Sequence, residues 1–321
     1  MDNNNAQAVS GEDSYSGRFV SKEEAKRINE ETSRKERKAS LKSSLFMVPS
    51  LAGFLVFFVL PFFIVIYYSM VDNPISHNFV WFDNYIRLYK NLAFRKAAEN
   101  TAIFSLVAVP LAVLLSLLLA VALDMKLPFK SQLRSFFLSP LMVPTASIVL
   151  VWQVLFHNNG TFNSILVSMG HGKIDWLNSQ YAQVVIVLLF LWKNLGYNMI
   201  LFMAALSSVP ESLIEAASLE GISNTRIFFS IKLRFMTSTF LFVTIMSIVN
   251  SFKVFREVYL LKGDYPFDTM YMMQHFMNNT FRTLDYQKMS SAAITTAVVL
   301  ILIIGVLFKA DNVLGRDFEE E

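Results

Sequence analysis

The stretch VPESLIEAASLEGISNTRIFFSIKLR, residues 209–234, is polar and charged, yet it lies between two long apolar segments. Its start carries a helix signature: Ser208 is placed to cap, Pro210 falls in the first turn, where no amide donor is needed, and Glu211 follows three residues after the cap. Leu213, Ala216, Ala217 and Glu220 then share one helical face, with Glu215 beside them. Gly221 ends this helix, because a left-handed residue past a helix end costs glycine least. Asn224 is expected to cap a second short helix that carries Phe228, Ile231 and Leu233. The stretch therefore reads as a helix–Gly–helix elbow, amphipathic and small-faced, protruding from a membrane protein. That is the shape of a docking part.

The rest of the chain explains why a membrane surrounds it. The 321 residues are 54% hydrophobic and include Phe 30. Several uncharged windows exceed the roughly 20 residues that a helix needs to cross about 30 Å of hydrocarbon. Helices of this kind satisfy their own backbone groups in lipid, so the class is an all-α polytopic membrane protein. Six spans are expected, near residues 45–71, 101–123, 136–156, 181–206, 236–255 and 289–308. Pro61, Pro110, Pro140 and Pro144 fall inside them and are taken as tolerated where neighbouring helices re-satisfy freed carbonyls. Residues 1–43 form a polar extension, with 1–17 expected to be disordered and a charged helix expected over 22–38. Residues 44–310 form the six-span domain with its elbow at 208–235, and 311–321 form a short tail.

Lys and Arg set the orientation. With both ends inside, the inner segments hold about twice as many of them as the outer loops, which places the elbow on the cytoplasmic side. The net charge of +3 is small, so nucleic acid is not an expected partner. The chain has no cysteine, which excludes disulfides and thiolate metal sites. No apolar signal-peptide core is visible in the first 40 residues.

The elbow also carries a family resemblance. Glu215, Ala216, Ala217, Gly221, Phe228, Ile231 and Leu233 resemble the EAA loop of ABC-importer permeases, with Glu220, Ile222 and Arg234 standing where that pattern has Asp, Ala and Pro. The last departure suggests that the second helix runs on toward the next span. Other landmarks are similar to the sugar-type permeases: Phe79 to Tyr85, Asn100 and Thr101, Pro140 and Pro144, Trp152, Gly160 and Asn163, Trp192, and Gly263 to Tyr286. The resemblance implies a type I ABC-importer permease fold. In it Glu215, Ala216, Ala217, Glu220 and Gly221 would form the coupling helix, between spans 4 and 5, that docks on a separate ATPase. It further implies two ATP-binding subunits, a second homologous permease in a heterodimer, an extracytoplasmic sugar-binding protein and a prokaryotic plasma membrane.

Chemistry of its own is not expected of this chain. The one Gly-Lys pair, Gly172-Lys173, has Val167 where a phosphate-cradling loop needs its first Gly, so ATP-Mg would be bound by the partner and no cofactor by this chain. His77, His157, His171 and His275 are scattered without metal-ligand spacing. Polar residues inside the spans are more telling. Lys193, Asn194, Tyr197 and Asn198 interrupt span 4, and Ser247, Asn250, Ser251 and Lys253 interrupt span 5. A charge at bilayer depth costs about 3 kcal/mol, so these groups should face a wet or protein-lined interior. Asn194, Tyr197, Asn198, Asn250 and Ser251 are the candidates for a substrate path, and the alternative is that they tie helices together. Trp192, Tyr197 and Phe252 offer faces on which a sugar ring can stack. Two rival readings are a permease for a non-sugar ligand such as a glycerol phosphodiester or polyol, and an ion-coupled secondary carrier. The first would favour Arg within the spans and the second acidic groups there; neither is expected from the span boundaries above.

Overall fold

The structure, a computed structural model, describes residues 47–125 and 129–316, with side chains through 311. The polar extension with its expected helix, residues 126–128 and the last residues of the tail lie outside the described residues. Residues up to Phe63 and residues from Ile64 onward form separate compact units. Helix α1, Met47–Ser69, contains the boundary. Its segment Leu55–Val59 is wound as a π-helix, in which the Leu60 amide donates to Leu55 O, just before Pro61 interrupts the donor series. Large apolar side chains on this segment, Phe57 and Phe58 among them, are exposed.

In the second unit, the short helix α2 (Asp83–Lys90) precedes α3 (Leu92–Asp124). Asn91 starts α3 by accepting from the Phe94 amide at 3.1 Å. The helix runs 33 residues, well past the expected start of span 2. Ala108, Ala112, Ser116 and Ala120 recur on its buried side at one-turn spacing, which lets the backbone of a neighbouring helix approach closely. That neighbour is α7, Ala182–Ser207. Val109, Val113, Met199 and Phe202 pack in one shared cluster, joined by Val243 of α10, Thr237–Phe252. A second cluster unites Phe104, Val149, Phe156 and Phe190.

Span 3 differs from expectation. It is two helices, α4 (Lys130–Met142) and α5 (Thr145–Leu155), bent by 103°. The cause is Pro144, whose ring forces the preceding residue out of the helical region; Val143 has φ −94° and ψ 131°. Pro140, by contrast, is accommodated inside α4 and buried. Five helices are thus long and apolar enough to cross a membrane, or six if the bent pair is one span.

Span 5 also differs. After Phe252 a tight turn, with the Lys253 amide donating to Asn250 O at 3.0 Å, leads into α11, Phe255–Lys262. The apolar segment therefore extends to Lys262 rather than ending near residue 255. Helix α6 (Thr161–Ser168), α12 (Met273–Arg282) and α13 (Tyr286–Arg316) complete the described chain.

The connections at one end of the bundle are tied by side-chain amides. Asn84 donates to Ser69 O at 3.0 Å and to Val71 O at 2.8 Å. Asn100 donates to Tyr271 O at 3.0 Å, and Thr101 accepts from the Met273 amide at 2.9 Å. Fully buried Asn163 accepts from the Ile174 amide and from the Trp176 indole, which fixes the loop that follows residue 168.

Candidate functional site: an intramembrane cavity and an exposed elbow

Two features stand out, and the same two helices carry both. The elbow consists of α8, Glu211–Leu219, and a second helix, α9, over residues 224–235. Ser208 does not cap it. Its hydroxyl donates to Ala205 O at 2.7 Å and closes α7, while Pro210 occupies the capping position of α8 without a side-chain bond. Nor does Asn224 cap α9; Ser223 precedes it, and Asn224 is the first helical residue. The Gly221 prediction fares better. Gly221 has φ +78°, its amide donates to Ser218 O, and the Ile222 amide donates to Ala217 O at 3.1 Å. That double closure needs a left-handed residue at this position.

Helix α9 runs through a π-wound segment, Phe228–Lys232, and on to Phe235, so the Arg234 position does not break it. The interruption comes at buried Met236. Lys232 pairs with Asp124 at 3.2 Å, pinning α9 to the end of α3. Ala217 and Ile227 are buried against the chain. Glu215, Ala216, Glu220 and Gly221 are exposed. Leu219 is 90% exposed, which leaves an apolar side chain on the tip with no cover from this chain.

The second feature is a cavity of about 760 Å³ bordered by the end of α4, the middle of α7 and both sides of the α10–α11 turn. Its volume lies within the roughly 300–1,000 Å³ typical of small-molecule sites. Of the residues singled out from sequence, Asn194, Tyr197 and Asn250 line it. Asn250 donates to Asn194 Oδ1 at 3.0 Å, and Asn194 donates to Phe190 O at 2.8 Å. The two amides thus bridge α7 to α10 at the cavity wall.

Asn198 and Ser251 do not belong to it. Asn198 is 1% exposed and donates to Ser247 Oγ at 3.0 Å; Ser251 shares a 2.8 Å bond with Ser105 Oγ. Both hold helices together. Trp192 stands beside Trp152 instead of lining the cavity, with ring centroids 6.3 Å apart, and Phe252 lines an apolar groove formed with α3 and α13. The aromatic lining comes from Phe190, Tyr197, Phe255 and Tyr259.

The cavity also holds charges that the shorter span 5 had placed outside the membrane. Glu257 is buried and forms an ion pair with Lys193 of α7, so the partner of Lys193 lies in its own chain. Arg256 lines the cavity as well, and the spans therefore contain both an acid and an arginine. A signal for this was present: Asn250, Lys253, Val254 and Glu257 continue the three- and four-residue spacing of span 5 past its assumed end.

His275 and Asp72 are among the titratable groups outside the spans that are perturbed. Burial drives the His275 imidazole down to about 4 against the opposing pull of Asp264, so the ring is neutral at pH 7. Its Nδ1 accepts from the Met272 amide, which leaves the proton on Nε2. At Asp72 partial desolvation raises the carboxyl, but hydrogen bonds from Ser76, Asn73 and Asn78 outweigh it and hold the group below its usual value. Both serve local structure.

Helix α7 links the two features mechanically. From Asn194 to Ser208 it advances about 21 Å at 1.5 Å per residue, and the elbow follows at once. After the elbow the chain enters α10, which carries Asn250. The elbow is thus joined through continuous backbone to both helices that carry the Asn194–Asn250 bridge.

Comparison with known proteins agrees with this anatomy. The chain is 28% identical over 271 residues to the lactose transport system permease protein LacF of Rhizobium radiobacter, covering 82% of this chain and 90% of that one. It is 30% identical over 267 residues to the sn-glycerol-3-phosphate transport system permease protein UgpA of Yersinia enterocolitica, covering 81% and 90%. Among solved structures, a chain of a bacterial ABC transporter involved in the import of the acidic polysaccharide alginate has the same fold. The TM-score is 0.76 at 18% identity, covering 87% of this chain and 97% of that one. Residues 112–317, which include the elbow and every residue of the cavity wall, match the family model described as binding-protein-dependent transport system inner membrane component. This chain is a multi-pass membrane protein of the type I ABC-importer permease fold and belongs to the family of binding-protein-dependent transport system inner membrane components.

Proposed function

We propose that this chain is one transmembrane subunit of an ATP-driven carbohydrate importer and forms half of its translocation pathway. The observation that carries the reading is the Asn194–Asn250 bridge in the wall of the cavity, built on the two helices that flank the elbow. Planar amides beside the Tyr197 and Tyr259 rings suit a polyhydroxylated ligand, since they pair with hydroxyl groups while the rings cover apolar faces of a sugar. Relatives named for transport of lactose, of trehalose and maltose, and of arabinooligosaccharides support the same substrate class. The relative named for sn-glycerol-3-phosphate keeps a non-sugar ligand as the second reading. An ion-coupled carrier is not favoured, because the acid found in the spans is already paired with Lys193.

In this account two separate ATP-binding subunits dock on exposed elbows, here through Glu215, Ala216, Glu220 and Gly221, with Ala217 packing behind them. The six-span region 44–310 is half a pore, and a second homologous permease completes it as a heterodimer in the membrane lipid. An extracytoplasmic sugar-binding protein delivers the ligand to the opposite face. Both termini and the elbow lie in the cytoplasm of a prokaryote. This chain hydrolyses nothing; ATP-Mg belongs to the partner, whose closure draws the elbows together. Nucleotide favours one state only through its differential affinity for the two.

The test is ATP-driven uptake by the assembled importer in proteoliposomes. Glu215→Ala and Gly221→Pro are expected to abolish uptake while the protein remains in the membrane at wild-type abundance. Normal uptake by both variants would refute coupling through the elbow.

A further inference from the structure

We infer that the ligand carried through this cavity is an anionic carbohydrate, a saccharide bearing a carboxylate or a phosphate; the inference rests on the importer reading above. Four charged residues line the cavity: Lys193, Lys253, Arg256 and Glu257. Glu257 is the one acid among them, and its carboxylate is committed to Lys193. Lys253 and Arg256 have no acidic partner among the described residues. Lys253 stands on the turn that joins α10 to α11, three residues after Asn250, and Arg256 in the first turn of α11. The lining thus combines a neutralised pair, two uncompensated cations and the amides of Asn194 and Asn250.

Lys253 and Arg256 are exposed, so their charged heads are accessible to whatever enters the cavity they line. For a neutral sugar, amides, hydroxyls and aromatic faces supply all the recognition that is needed. Two unpaired cations add nothing to such a ligand, while they attract a carboxylate or phosphate through charge-assisted hydrogen bonds and raise its local concentration in a cleft with low-dielectric walls. The Lys193–Glu257 pair also fixes where the anion sits. It occupies the α7 side, so the free positive charge is confined to the α10–α11 turn and the first turn of α11, next to the Asn194–Asn250 bridge.

The experiment begins with the cognate binding protein and a panel of neutral oligosaccharides, uronate oligosaccharides and sugar phosphates, followed by uptake of each into proteoliposomes holding the complete importer. The expected result is uptake of a uronate or of a phosphate ester, the two arms separating the sources of the charge. It should fall at least tenfold in Lys253→Gln/Arg256→Gln at equal membrane abundance. The exchange variant Lys253→Arg/Arg256→Lys retains both charges and should keep most of the uptake, which separates charge from packing. A neutral saccharide as the transported ligand, or full uptake of the anion by the Gln variant, would overturn the inference and leave the importer reading standing. No uptake of any carbohydrate would sink the carbohydrate reading, and this inference with it.

Discussion

Lys193 and Glu257 show how a single polar contact organises the middle of the bundle. Glu257 is 5% exposed, and a carboxylate so buried persists only with a partner. Removing one member should cost more than removing both. Lys193→Met is expected to lower unfolding stability in detergent by about 3 kcal/mol, whereas Lys193→Met/Glu257→Leu should recover most of that loss. Equal destabilisation by the single and double variants would show that the pair contributes through packing alone. The polar residues of spans 4 and 5 were legible in the sequence because they interrupt apolar runs. What spacing did not separate was which of them share a face. Successive residues in a helix turn by about 100°, and here that rotation carries Asn198 and Ser251 away from the side on which Tyr197 and Asn250 lie. Tyr197 and Asn250 line the cavity; their neighbours Asn198 and Ser251 bond to Ser247 and Ser105 instead.

At the scale of elements, the cavity exists because two spans are broken. Irregular backbone at membrane depth is tolerated where it is buried in protein or lines a wet space; the break at Lys253-Val254 lines this one, and Leu141 reaches it from just before the break at Val143-Pro144. The first break was written in the sequence: a proline whose predecessor must leave the helical region. The second involves neither Pro nor Gly, so its position was not legible and span 5 was read too short. Close packing of α4 on α7 holds the first break in place, and it depends on Gly196. A Cβ there would lie 1.9 Å from Phe137 O, which only a backbone shift relieves. Gly196→Ala is therefore expected to destabilise the protein by about 2 kcal/mol and to reduce its abundance in the membrane, measured by thermal unfolding and quantitative blotting. Unchanged stability would show that α4 and α7 are free to separate. The helix–Gly–helix outline of the elbow, in contrast, was legible because Gly221 dictates its conformation, whereas the caps expected at Ser208 and Asn224 were misplaced.

At the scale of the whole molecule, one continuous path of covalent structure leads from elbow to cavity, through α7 on one side and α10 on the other. The path has a use only when something outside the chain moves the elbow. Exposed Glu215 and Leu219 offer the surface on which to push, and no phosphate-cradling loop in the sequence supplies the energy from within. The all-helical membrane class and the elbow between two spans were legible from composition and periodicity, since lipid admits few alternatives, while the six expected spans are reached only if the bent pair counts as one. In the sequence, the expectation of partners rests on the elbow and its resemblance alone. The central claim is that this chain works as a subunit driven through its elbow. It is tested most directly by purifying the tagged, full-length protein from its native membrane in mild detergent and identifying what stays bound. Recovery of an ATP-hydrolysing subunit together with a second six-span permease is the predicted result. A chain that purifies alone, or with neither of them, would contradict it.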